Sequence, residues 1–137
     1  MSKQLSDPDK YTIQVAAHGV VALMASSTPG TFTAPKAGIA AAKAMSTATG
    51  LTGEILAEKP PKLPFDGSVA KTAEIVLPAL TESVKILDRA QAGEGDNFRR
   101  TMQIVAESAT KANKAGPNPA ESEMLRKIED ALRAPAL

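Results

Sequence analysis

A chain of 137 residues fits one domain and can bury a core without covalent staples. It contains no Cys, which excludes disulfides, thiolate metal sites and thiol catalysis. Its 16 basic and 15 acidic residues give a formal charge of +1 and are interspersed, and its aromatics are only Tyr11, Phe32, Phe65 and Phe98, so the basic stripe and stacking platform of a nucleic-acid binder are missing.

The Ala-rich, β-branch-poor composition favours helices. No period-two alternation marks a strand, so the expected fold is all-α: a compact bundle of about six or seven helices. Residues 1–10 are polar and read as a flexible tail, in which Asp7 or Asp9 can cap a first helix with Pro8 close by. That helix carries Ile13, Ala16, Ala17, Val20, Val21 and Met24 at helical spacing. Val15, Gly19 and Ala22 form a second, small-residue face, so a central helix buried on most sides is predicted. The apolar run 13–25 raises the question of a signal peptide. Asp7 and Asp9 precede it, Gln14 and His18 interrupt it, and it falls short of the ~20 residues that span a bilayer. The reading is a cytoplasmic protein with no membrane association.

The first break runs from Ala25 to Lys36, where Gly30 can supply a positive φ and Thr33 a cap for helix two. Helix two extends to near Gly50, and its residues Ala37 to Ala44 are nearly all small, which implies tight helix contact. A short helix covers Leu51 to Glu58. Pro60, Pro61 and Pro64 make residues 59–67 a loop, and Asp66-Gly67-Ser68 reads as a turn plus N-cap. From there Val69, Ala73, Val76, Leu80, Val84 and Leu87 form an apolar stripe that continues through Pro78. An interior Pro costs roughly 3 kcal/mol, so two helices meeting at Pro78 are favoured over one strongly bent helix.

Gly93-Glu94-Gly95 reads as the next break, with Asp96 as N-cap of a helix striped by Phe98, Met102, Val105, Ala109 and Ala112. Arg99, Arg100, Gln103, Glu107, Lys111 and Lys114 lie opposite. A second break, Ala112 to Glu121, mirrors the first, so each end contributes a helical hairpin. Asn118-Pro119-Ala120-Glu121 places cap, N1 proline and N3 glutamate in order for the last helix. This helix presents Met124, Leu125, Ile128, Ala131 and Leu132 to the core, with Glu123/Lys127, Arg126/Asp130 and Glu129/Arg133 as i, i+4 pairs. The expected core is Ile13, Val20, Met24, Phe98, Met102, Val105, Leu125, Ile128 and Leu132.

Few residues carry chemistry. His18 is the only histidine and has no acid at i±3 or i±4, so it reads as a partly buried or surface side chain. Glu94, Asp96 and Asn97 could collect a cation but read first as a solvated helix cap. Glu121 and Glu123 suit capping and the helix dipole. Gly93-Glu94-Gly95 and Gly50-Leu51-Thr52-Gly53 follow no strand and close with no Lys-Ser/Thr pair, so they read as helix terminators rather than phosphate loops. Ser26-Ser27-Thr28 has no adjacent base. No catalytic, cofactor or metal residue is assigned, and the chain reads as a non-enzyme.

With its two Gly-plus-cap turns flanking a central segment, the chain resembles the tellurite-resistance TerB-like family over residues 11–133, leaving 1–10 and 134–137 as tails. The resemblance rests on Pro29-Gly30-Thr31-Phe32-Thr33 and Ala115-Gly116-Pro117-Asn118, each followed by an amphipathic helix. It implies a compact all-helical module that binds a protein partner, or its own copy, in a metal-ion or stress response. The family's turn aspartates are replaced by Pro29 and Ala115, and its acidic helix start by Ala34, Pro35 and Lys36. Only Glu121 and Glu123 remain acidic. No metal ion is therefore expected at either turn, weak divalent-metal binding by the remaining carboxylates being the alternative.

Overall fold

In a computed structural model, residues 5–28, 33–60, 62–65, 67–112 and 118–134 are described, and they form six helices and no strand. These are α1 (Asp7–Ser27), α2 (Thr33–Met45), α3 (Gly50–Leu56), α4 (Val69–Ala90), α5 (Glu94–Lys111) and α6 (Pro119–Arg133). The all-α bundle matches the composition and the helical stripes. The turn centres Pro29-Gly30-Thr31 and Ala115-Gly116-Pro117, Asp66, Asn113, Lys114 and the Thr33 side chain lie outside the described residues.

Helix α1 packs against all five other helices, as its two apolar faces require. Helix α5 does the same, so the bundle has two central helices where one was expected. The small face of α1 has a specific use. A Cβ built on Gly19 would lie 2.3 Å from Val76 Cγ2, so α1 and α4 cross at a distance only glycine permits. Ala37 and Ala41 are fully buried on α2, which packs most extensively on α5 rather than on its hairpin partner α1. Eight of the nine expected core residues are buried, Leu125 being partly buried, and Leu23, Val76, Leu80 and Leu87 join them at 0% exposure.

Four boundaries differ from the sequence reading. Ser6, not Asp7 or Asp9, caps α1, its hydroxyl accepting from Asp9 N at 3.2 Å, so the helix starts inside the stretch read as a tail. The two aspartates instead sit in the first turn, where negative charge complements the dipole. Helix α2 stops at Met45 because the Ser46 and Thr47 hydroxyls donate to Lys43 O and Ala44 O, both at 2.6 Å, diverting carbonyls from the helix ladder. Residues 69–90 form one helix that runs through Pro78. Pro78 and Glu74 both lie on the exposed face, where water can satisfy the Glu74 carbonyl, while Thr72, Val76, Leu80, Ser83, Val84 and Leu87 stay buried in one register. Finally, α5 begins at Glu94, behind Gly93 at φ +89°, and Asp96 is an exposed first-turn residue paired with Arg99 rather than a cap. Asp88 Oδ1, from the end of α4, accepts from Gly93 N and Gly95 N at 3.2 and 3.3 Å and takes over that task.

Candidate functional site

Several of the residues singled out for chemistry are engaged in holding helices together. Helix α3 is the clearest case. Seven residues are too few to be stable alone, and both its ends are closed by side chains from other helices. At its start, Glu94 Oε2 accepts from Thr52 N and from Thr52 Oγ1, both at 3.1 Å. Asn97 Nδ2 donates to Thr49 O at 2.9 Å beside it. At its end, the buried Gln14 amide donates to Ile55 O at 2.8 Å and to Glu58 O at 3.2 Å. The two Gly-containing segments read as terminators are therefore helix starts that face each other. Gly50 (φ +68°) opens α3, and a Cβ there would meet Glu94 Oε1 at 2.6 Å. Glu94 is 7% exposed, so it is a buried tie and not a solvated cap.

His18 joins the same network. Both protons of the Gln14 amide go to carbonyls, which leaves Oε1 as an acceptor, so His18 Nε2, 3.1 Å away, must be the donor. His18 is half-buried, and burial holds its pKa below the ordinary value by disfavouring the charged ring.

At the other end of the molecule, Asn118 and Glu121 form the capping box read from the sequence. Glu121 N donates to Asn118 Oδ1 at 2.8 Å, and Asn118 N to Glu121 Oε1 at 3.2 Å. Glu121 is fully buried, and its Oε2 lies 3.1 Å from Thr28 Oγ1, which ties the start of α6 to the end of α1. The Thr28 hydroxyl also approaches Met24 O at 2.9 Å, so its single proton is shared between them. Ser27 donates to Leu23 O at 2.8 Å. Glu123 is exposed and bonded to Arg126, which holds its carboxyl below the usual range. Of the three i, i+4 pairs on α6, Arg126–Asp130 forms at 2.9 Å; Glu123 pairs with Arg126 and Arg133 with Asp130 at i, i+3 instead. Among the described residues, no three histidines or acids sit together as a metal-holding group.

One constellation was not visible in the sequence. Lys85 and Arg89 on α4, Arg99 on α5 and Arg133 on α6 line a groove of about 280 Å³ together with Thr81, Val84, Asp88 and Ala134. The fold builds it by fixing the end of α6. Thr81 Oγ1 donates to Ala131 O at 2.6 Å and Arg99 Nε to Leu132 O at 2.7 Å, satisfying carbonyls that a helix end leaves open. Four cations and Asp88 line the groove, and at its edge Asp96 bonds Arg99 and Asp130 pairs with Arg133, which leaves a modest excess of cations there. A cation pair at i, i+4 on α4 was the only sequence signal available. Arg99 and Arg133 come from helices that only the tertiary fold brings alongside. A smaller groove of about 190 Å³, between residues 44–49 and α5, is flanked by Arg100 and by the exposed Ile104.

The fold and these sites define an all-α bundle whose buried polar side chains bind helix to helix. Among the described residues, no helix is long and apolar enough to cross a membrane. Comparison with protein-family models, with curated proteins and with solved structures finds no match.

Proposed function

We propose that this chain is a non-enzymatic helical module that acts by presenting its surface to a protein partner. The observation that carries this reading is the use to which the buried polar residues are put. Gln14, Thr28, Thr52, Glu94 and Glu121 each spend donors or acceptors on another helix or on a helix end. What the fold offers to other molecules is then its exterior, which includes the cation-lined α4–α5–α6 groove. A stress-response role of the tellurite-resistance type is supported by the TerB-like resemblance of the two turns. Of the hairpin carboxylates that a divalent ion would need, Glu121 already accepts hydrogen bonds inside the fold and Glu123 is bonded to Arg126.

The test is site-specific photocrosslinking in the organism that makes the protein, from Arg89, Ile39 and Glu54 in turn, three exposed positions on different helices. The reading expects one defined protein adduct from one face and none from the others. Absence of a protein adduct above background from every position would overturn it.

A further inference from the structure

We infer that the α4–α5–α6 groove docks an acidic segment of a protein partner, with carboxylates meeting Arg89 and Arg133 and an apolar side chain resting on Val84. This deepens the partner-binding reading and rests on it. Lys85, Arg89, Arg99 and Arg133 line the groove with Asp88, and Asp96 and Asp130 pair with Arg99 and Arg133 at its edge, so cations outnumber carboxylates there by one. Asp88 is also engaged within the fold, its Oδ1 accepting from the Gly93 and Gly95 amides.

The state of each cation indicates which anion fits. Arg89 is exposed and has no hydrogen bond or ion pair among the described residues. Arg99 has given Nε to Leu132 O and Nη1 to Asp96. Arg133 sits 3.6 Å from Asp130, a carboxylate already bonded to Arg126 at 2.9 Å, so its hold there is weak and exchangeable. Lys85 is half-buried and has a partner within the fold. The groove thus presents a small excess of cations with few fully open N–H forks. That suits several solvated carboxylates spread along a peptide better than one phosphate, which asks for many donors at a point. The floor favours the same occupant. Val84 is buried beneath the cations, and an apolar floor under a charged rim accepts a segment in which acidic and apolar side chains alternate. No aromatic side chain lines the groove to stack a nucleobase.

The experiment is fluorescence anisotropy of the full chain with a short labelled peptide of alternating Glu and Leu. The comparison ligands are its Gln/Leu counterpart, a single-stranded oligonucleotide and inorganic pyrophosphate. The Glu/Leu peptide should bind, weaken as salt is raised, and lose about tenfold or more in affinity with Arg89→Glu plus Arg133→Glu. Arg100→Glu plus Lys36→Glu makes the same charge change at exposed positions outside the groove and should leave binding nearly unchanged. Circular-dichroism melts of both variants should match the parent, since none of the four side chains is buried. Equal losses in the two variants would show general charge attraction and overturn the proposal. So would the absence of Glu/Leu binding, or tighter binding of pyrophosphate or the oligonucleotide at the same arginines. A photocrosslinked partner at another face, with no peptide binding here, would sink the groove assignment and leave the partner-binding reading standing.

Discussion

Glu94 and Glu121 both sit in the first turn of a helix and both are buried, yet their carboxylates are satisfied from different places. Glu121 exchanges reciprocal bonds with Asn118 in its own turn and meets Thr28 at the end of α1. Glu94 has one local neighbour, Asn97, but its stronger bonds come from Thr52, 42 residues earlier, at the start of a helix too short to stand alone. The same residue type at similar helical positions completes a local capping box in one place and clasps a separate short helix in the other. Position within a helix does not fix a carboxylate's role; what the fold brings to it does.

The largest expected effect breaks the clasp. Glu94→Ala leaves the Thr52 amide and hydroxyl buried without their acceptor and should cost about 3 kcal/mol in chemical denaturation. Amides of α3 should lose hydrogen-exchange protection before the rest of the bundle. Glu121→Ala should cost less, about 2 kcal/mol, because Asn118 Oδ1 still caps the amide of residue 121. Equal losses with uniform exchange would erase the contrast between the two glutamates.

A paired substitution sharpens the geometry of the clasp. Gly50→Ala should cost about 2 kcal/mol in the parent, from the left-handed backbone and the approach to Glu94 Oε1. In the Glu94→Ala background the closest contact is gone and only Asn97 Nδ2, at 3.1 Å, remains near, so the same change should cost about 1 kcal/mol. Additive losses would place Glu94 away from Gly50. On the local side, Asn118→Ala should lower stability by about 1 kcal/mol by removing the acceptor for Glu121 N. Coincident melts of that variant and the parent would contradict the capping box.

The smallest effect is a pH dependence. The His18 pKa is lowered on folding, so below its ordinary value of 6.5 the unfolded chain binds more protons than the native one. Stability should therefore fall as pH drops through that range and be fully present above it. His18→Gln should flatten this part of the profile. An unchanged slope between parent and variant would show that His18 does not contribute to it.

These contrasts also mark what was legible in the sequence. The apolar stripes of α1, α5 and α6 and the capping box at Asn118 are local patterns with helical spacing, and they appear in the fold with little change. Ser68 caps α4 in the same local way. Some misplaced features depended on residues outside the local helical pattern. Asp96 looks like a cap until Asp88 takes the amides of Gly93 and Gly95. Pro78 looks like a boundary until the burial of Val76 and Leu80 on either side holds one register through it. The basic groove was hidden because its cations come from three helices that only the fold brings alongside one another.

The central claim is that the buried carboxylates tie helices rather than hold a ligand. The most direct measurement is thermal unfolding of the parent and of Glu94→Ala, each with and without excess Ca²⁺, Mg²⁺, Mn²⁺ or Zn²⁺. The account predicts a markedly lower midpoint for the variant and no shift with any ion in either protein. A midpoint that an ion raises in the parent but not in Glu94→Ala would contradict it.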